Sequence, residues 1–379
     1  MTDLVLEGLD GSNPLGFLSA LGTLAVAHAA GESGARLAWE RRGRWVPVVR
    51  DTRAADRASF AALLVPALRG AEVTREAEAD LERARASFEK AKKAANDAAQ
   101  AIKGRKLKGE DRRAALDRTL APLIAERDRR RQDWLAALAR AVPRPELGLG
   151  KHLDCTPDEF REHGAAFLGL GGWRDREALD LLAAFGSDAA VGERSRSERI
   201  EPTPFCFTSG SGHQYFLDTV RQLLPRVSAQ RVEDSLFHPW VYRDDGLSMR
   251  WDPVEDRRYA LMDTDPGPLG ARTVWMANLL AYRGLVLFPS APRGRRLETT
   301  AWTGRDGEPT FTWPLWTVPL GPEVIRSLLQ LREVVADPPD GATLRARGIA
   351  ALYRSRRIKV GSGANYKVNF TPARAVWAD

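Results

Sequence analysis

The sequence predicts an α+β fold: a mixed sheet-and-helix body with an inserted long antiparallel helical hairpin. Three observations predict it. The opening stretch Leu4-Val-Leu-Glu-Gly-Leu-Asp-Gly-Ser-Asn-Pro-Leu-Gly-Phe-Leu-Ser-Ala-Leu-Gly-Thr-Leu24 reads as a strand, a turn and a buried helix. Residues 71–141 are rich in Ala, Glu, Lys and Arg and nearly free of aromatics, the composition of long exposed helices. From Gly148 onward, short aromatic segments alternate with Gly-rich turns and a few helices. With 379 residues, 44% of them hydrophobic, the chain is long enough for a large core and two or three domains.

In the first helix Asn13 is placed as the cap, where its side chain accepts from an exposed backbone N–H. Pro14 occupies the first turn, where its missing N–H is not needed. Gly16, Ser19, Ala20 and Gly22 alternate with Leu15, Phe17, Leu18, Leu21 and Leu24, and the small residues let the helix press close against a sheet. Arg36–Trp39 and Trp45–Val49 read as short strands. Asp56–Leu68 reads as a helix with Phe60, Leu63, Leu64 and Leu68 on one side, kinked or ended early by Pro66. Residues 1–70 therefore form one N-terminal α/β segment of the body.

Residues 71–141 read as two helices broken near Lys103-Gly-Arg-Lys-Leu-Lys-Gly109. Alanines with Leu81, Phe88 and Ile102 face Leu116, Leu120, Leu123, Ile124, Trp134, Leu135 and Leu138, a thin coiled-coil-like seam. The segment holds 18 basic and 13 acidic residues, so most of the net charge of +7 resides here. Its basic tip (Lys103, Arg105, Lys106, Lys108) is either a solvated turn or a nucleic-acid contact. Val142-Pro-Arg-Pro145 marks the boundary to residues 142–379, the α+β remainder of the body with a basic C-terminal segment. There Asp175–Phe185 and Thr273–Tyr282 read as helices, Gly186–Ser197 as a polar loop, and Phe205–Phe207 as a strand. Gly321–Val335 reads as a final amphipathic helix, and Arg347–Phe370 as a helix or strand followed by a hairpin at Gly361-Ser-Gly363.

The net charge of +7 and pI near 9.6 fit an anionic partner. Arg outnumbers Lys, and the guanidinium fork matches phosphate oxygens, although a GC-rich genome produces the same bias. Cys155 and Cys206 lie outside any CxxC pair, which excludes a zinc ribbon or finger. His152, Cys155 and His163 have zinc-like spacing but lack a fourth ligand, and the other histidines are dispersed, so no metal and no cofactor are expected. The absence of a basic-then-apolar leader and of a spanning helix leads us to expect a soluble cytoplasmic protein with no membrane partner. There is neither a GxxxxGK[ST] loop nor a GxSxG elbow, and Asp244-Asp245 and Asp263/Asp265 sit in turn contexts suited to local hydrogen bonding. No catalytic residue is singled out.

Two segments are candidates for nucleic-acid contact. Tyr353-Arg-Ser-Arg-Arg-Ile-Lys-Val-Gly-Ser-Gly-Ala-Asn-Tyr-Lys367 clusters Arg354, Arg356, Arg357, Lys359 and Lys367 between Tyr353 and Tyr366, almost without acids. Its cations suit phosphates and its tyrosines suit exposed bases, on a strand with one charged face. The plain alternative is a charged edge strand that resists aggregation. Thr208-Ser-Gly-Ser-Gly-His213 precedes a helix from about Tyr215, so the N–H groups of Gly210 and Gly212, with His213, form a second candidate beside the reading as an ordinary turn. Ser248-Met-Arg-Trp-Asp-Pro-Val-Glu-Asp-Arg-Arg-Tyr-Ala-Leu261 is either an ion-pair cluster that pins a loop or a docking surface around Trp251 and Tyr259.

Four stretches together resemble CRISPR-associated proteins of the type I-G (formerly I-U) systems, of the large-subunit-like or accessory family. They are Leu9-Asp-Gly-Ser-Asn-Pro-Leu-Gly-Phe-Leu-Ser-Ala-Leu-Gly22, Arg250-Trp-Asp-Pro-Val-Glu-Asp-Arg-Arg-Tyr-Ala260, Phe311-Thr-Trp-Pro-Leu-Trp316 and the linking Ala277-Asn-Leu-Leu-Ala-Tyr-Arg-Gly-Leu-Val-Leu-Phe-Pro289. The resemblance covers most of the chain outside the hairpin, and its motifs are structural rather than catalytic. It implies a non-catalytic component of a Cascade-like interference complex, binding crRNA or target DNA beside other CRISPR-associated subunits. Two other readings stay open from the residues alone: a metal-dependent nuclease or other hydrolase, and a protein–protein adaptor using the hairpin.

Overall fold

The computed structural model describes residues 1–105, 108–141, 144–150, 152–168, 173–194, 197–207, 215–255, 272–304, 309–360 and 366–379. The chain runs β1 (Thr2–Val5), α1 (Pro14–Ala29), β2 (Arg36–Arg41), β3 (Trp45–Thr52) and α2 (Arg57–Arg69) into a hairpin of α3 (Arg75–Gly104), α4 (Gly109–Ala115) and α5 (Ala121–Arg140). It continues through α6 (Pro157–Phe167), α7 (Trp173–Phe185), the antiparallel pair β4 (Val191–Arg194) and β5 (Ser197–Ile200), α8 (Phe216–Leu223) and α9 (Ala229–Phe237). β6 (Asp244–Asp245), β7 (Arg272–Thr273), α10 (Trp275–Gly284), the pair β8 (Ser290–Arg293) and β9 (Arg296–Thr299), β10 (Trp302–Thr303) and β11 (Thr310–Trp316) follow. Short helices α11 (Pro322–Leu329), α12 (Arg332–Val335) and α13 (Gly341–Ala346) lead into β12 (Ile349–Val360), β13 (Lys367–Phe370) and β14 (Arg374–Ala378). This is the α+β architecture the sequence predicts.

Helix α1 organises the body. Asn13 Oδ1 accepts from Leu15 N at 2.8 Å and Gly16 N at 3.3 Å, with Pro14 at the first position. The helix is apolar on every side and buried along nearly its whole length, as an interior helix must be. Towards the sheets, Phe17 lies 5.8 Å from Trp39 of β2 and 5.8 Å from Trp313 of β11, ring centre to ring centre. The indole N–H of Trp313 donates to Gly11 O, and that of Trp316 to Leu37 O, both at 2.8 Å. The N-terminal sheet (order β1-β3-β2) and the C-terminal sheet (β10-β11-β12-β13, with β14 also on β12) are thus tied across one aromatic layer.

The closest approach of α1 is to a helix and not, as expected, to a sheet. A methyl group on Gly22 would lie 1.6 Å from Leu280 O, and one on Gly284 would lie 2.6 Å from Leu18 O. The α1 and α10 backbones therefore touch where both lack side chains, and Ser19 Oγ donates across the seam to Ala277 O at 2.8 Å.

Four local expectations are corrected. Pro66 does not end α2 early: the helix runs on to Arg69, with the buried Ala67 and Leu68 beyond it holding the last turn in place. Gly186–Ser197 contains β4 and is paired with β5. Phe205–Phe207 is irregular backbone whose rings are buried, Phe205 against Trp251, Phe288, Trp302 and Phe311. Gly321–Val335 breaks at Leu331, because at 100° per residue Val334 would point opposite Ile325, and the break turns it into the core.

The hairpin is antiparallel, with Phe88 stacked on Trp134 at 5.4 Å and a π-helical turn at Leu116–Leu120 just before Pro122, which cannot donate to the helical ladder. Its base is clamped to the body by buried charge. Arg283 and Arg144 both donate to Ala67 O, at 2.6 and 3.4 Å, and both pair with Glu177. Arg144 Nε also meets Glu146 at 2.6 Å, which accepts from Tyr282 at 3.2 Å. Burial raises the pKa of Glu177, but Arg283 and Arg144 outweigh it and hold the carboxyl below its usual range.

Gly22→Ala should therefore lower unfolding free energy by about 3 kcal/mol or more, since the obstacle is backbone and cannot rotate away. Gly104→Ala, with open space around it, should be neutral or slightly stabilising. Urea midpoints of the two variants check this, and a Gly22→Ala midpoint equal to the parent's would contradict the contact.

Candidate nucleic-acid interface

The long strand β12 sets the geometry. Strand residues alternate faces, so Arg354 and Arg356 share one face while Arg357 and Lys359 share the other. The expected single charged face does not exist: cations lie on both sides. Arg354 is turned inward, with Nε donating to Thr312 Oγ1 at 3.1 Å, Nη1 to Asp337 at 2.9 Å and Nη2 to Ala336 O at 3.3 Å. It is only 8% exposed, so this candidate phosphate ligand serves mainly to fasten β12 to the segment after α12. Arg356 is exposed on the same face, and its backbone is fixed by Thr371 Oγ1 at 3.0 Å.

On the opposite face Arg357 lies over the Phe207 ring at 5.2 Å. Lys359 is exposed, with its ammonium 4.9 Å from the Tyr366 ring centre, and Lys367 is exposed beside them. Tyr353 stacks on Trp313 at 6.1 Å, and partial burial raises its pKa, so it packs with the core more than it presents a free ring. Gly210, Gly212 and His213 lie outside the described residues, as do Gly361, Ser362 and Gly363, where the sequence predicts a hairpin turn.

The sheet brings cations together that are remote in sequence. A recess of about 590 Å³ is lined by Arg354, Arg356 and Arg374, with Thr303, Val335 and Asp337. A larger groove of about 1330 Å³ shares Thr303 and Val335 with it and carries Arg293, Arg296, Arg332 and Arg357. Among the described residues they hold seven arginines and three acids, Glu201, Glu298 and Asp337. Arg293 pairs with Glu298 at 2.8 Å, whereas Arg296, Arg332 and Arg374 are exposed and have no acidic partner among the described residues. Unpaired exposed guanidinium groups along a connected groove form an anion-binding surface. Of these positions, only Arg293-Gly-Arg-Arg296 carried a sequence signal, three arginines around a Gly294 turn with φ 63°. Nothing local marked Arg332 or Arg374, which reach the groove by tertiary folding.

The remaining candidates for chemistry are structural. Asp252 is buried and accepts from Asn13 Nδ2 at 2.9 Å, Tyr242 Oη at 2.8 Å and Val254 N at 3.0 Å. Glu255 is buried and accepts from Ser248 and Thr273. The described part of this stretch thus pins a loop to the cap of α1, and Trp251 is buried, donating to Phe205 O at 3.1 Å. Arg257, Arg258, Tyr259, Asp263 and Asp265 lie outside the described residues. Asp244 does not bond locally: it caps α10 through Trp275 N at 2.8 Å and pairs with Arg231. Cys155 and Cys206 are buried and form no disulfide, burial pushing the Cys155 thiol up to about 12 and the His163 imidazole down to about 4. Among the described residues, no group of three or more His, Cys, Asp or Glu side chains is placed to hold a metal ion, and no helix is long and apolar enough to cross a membrane.

No protein-family model matches this chain, and no curated protein matches it.

Burial raises Glu255 to about 7, from a usual 4.5. The native state therefore keeps a proton that the unfolded chain has released, and Glu255 makes stability fall as pH rises between these values. Glu255→Gln should remove that contribution, gaining roughly 2–3 kcal/mol over the parent at pH 8 and little at pH 4. Denaturation of both proteins across this range measures it, and a difference that does not vary with pH would refute it.

Proposed function

We propose that this chain is a non-catalytic nucleic-acid-binding component of a type I CRISPR interference complex, contacting crRNA or target DNA along the two connected grooves. The observation that carries the reading is the concentration of seven arginines around the C-terminal sheet and the neighbouring β8–β9 pair, three of them exposed without acidic partners among the described residues. Several other cations of the body are already engaged. Arg144 and Arg283 are buried with carboxylates, and Arg42, Arg50, Arg57 and Arg161 each meet an acid at the surface. In the hairpin, Arg83, Lys92 and Arg130 pair with acids three or four residues away, while others such as Arg85, Arg112 and Arg113 are exposed without an acidic partner among the described residues, spread along the helices as on a solvated face.

The type I-G resemblance supports the same assignment from another direction. Its segments meet around α1: the capped turn, the Asp252 loop, α10 and β11 touch one another through the contacts described above. They preserve a scaffold, and the grooves lie on the outer part of that scaffold. Other subunits of the complex are the partners this assignment implies.

The test is salt-dependent binding. Affinity for a single-stranded oligonucleotide should fall linearly in log–log form as salt rises, each phosphate contact contributing about 0.7 to the slope. The triple variant Arg296→Glu/Arg332→Glu/Arg374→Glu should flatten the slope by about 2 and weaken binding by at least about tenfold at low salt, without loss of fold at these exposed sites. Unchanged affinity in the triple variant would remove the grooves from the interface.

A further inference from the structure

We infer that the larger groove receives an unpaired strand, with a base lodged against Trp302 while the flanking phosphates lie on the arginine rim. This rests on the nucleic-acid reading above and narrows it to single-stranded DNA or RNA at a defined place. The groove combines two kinds of surface. Its wall is apolar, with Trp302, Pro204, Pro289, Leu329 and Leu331 among the lining residues. Its cations include Arg296 and Arg332, both exposed and without an acidic partner among the described residues.

A duplex presents phosphates and base edges but keeps the apolar faces of its bases stacked inside, so it leaves such a wall uncovered. An unpaired strand offers both complements together: base faces for the wall and phosphates for the guanidinium groups. Trp302 is fixed for this role. It is stacked on Phe311 at 5.5 Å and on Phe370 at 5.7 Å, so the indole is held as a rigid platform with little rotamer freedom to lose on binding. It remains partly exposed at the end of β10, where the sheet edge opens into the groove. The indole π-face accepts any base, so the site has little sequence preference.

The experiment uses the full chain and four probes of equal length: a mixed-sequence single-stranded DNA, its RNA counterpart, the corresponding duplex, and a DNA strand carrying an abasic tract. The abasic strand keeps every phosphate and loses only the bases. Binding of the intact strands should exceed that of the duplex, and the abasic strand should bind about 5- to 150-fold more weakly than intact DNA, the range of one base–aromatic stack. Trp302→Leu should reduce the difference between intact and abasic DNA, and Trp302→Phe should retain most of it. Equal binding of intact and abasic strands, or preference for the duplex, overturns this inference while leaving the arginine grooves as a phosphate surface. Failure of all four probes to bind overturns the nucleic-acid reading, and this inference with it. The abasic comparison is made on the parent protein, so it stands even where a Trp302 variant does not fold.

Discussion

Where Gly22 of α1 meets Leu280 of α10, two backbones lie closer than any side chain would allow, and the arrangement of the body follows from that approach. With α10 held against one side of α1, Phe17 on another side reaches both Trp39 and Trp313. The two sheets are thereby locked at a fixed spacing, reinforced by the exchanged Leu37–Leu320 backbone hydrogen bonds at 2.8 and 2.9 Å. A bulkier residue at the seam must move α10, and α10 carries Tyr282 and Arg283 into the charged clamp at the hairpin base. One contact thus couples the core, the root of the hairpin and the sheet that carries the grooves.

The charge distribution follows a division of labour. Buried cations are matched by buried acids, as electrostatics in a low-dielectric interior requires. The hairpin carries 18 of the chain's basic residues but also 13 acids, and pairs many of them along its helices. The grooves differ because their arginines come from five separate elements, β8, β9, α12, β12 and β14, with three acids among the described lining residues. Cations without an acidic partner among the described residues occur on the hairpin too, strung along its exposed helices, whereas the C-terminal sheet gathers its arginines around two recesses.

Much of the architecture was legible in the sequence because its determinants are local. Asn13-Pro14 fixes the start of α1, the loss of aromatics fixes the hairpin, and short apolar runs mark β2 and β3. What was not legible depends on tertiary contact. Gly22 read as a small residue facing a sheet because its partner, Gly284, lies 262 positions away. Arg354 read as an available cation because nothing in its neighbourhood announces Asp337 or Thr312, which folding brings to it. The C-terminal run lines the grooves in part, strand alternation divides its cations between two faces, and Arg332 and Arg374 join them from other elements.

The central claim is one of place: phosphodiester chains lie on the arginines of the C-terminal sheet, on a scaffold set by α1. Arginine-selective chemical modification read by mass spectrometry, with and without a saturating single-stranded oligonucleotide, tests it most directly. The account predicts protection at Arg296, Arg332 and Arg374, with hairpin residues such as Arg85, Arg112 and Arg113 labelled equally in both samples. Protection on the hairpin with the groove arginines unchanged would contradict it.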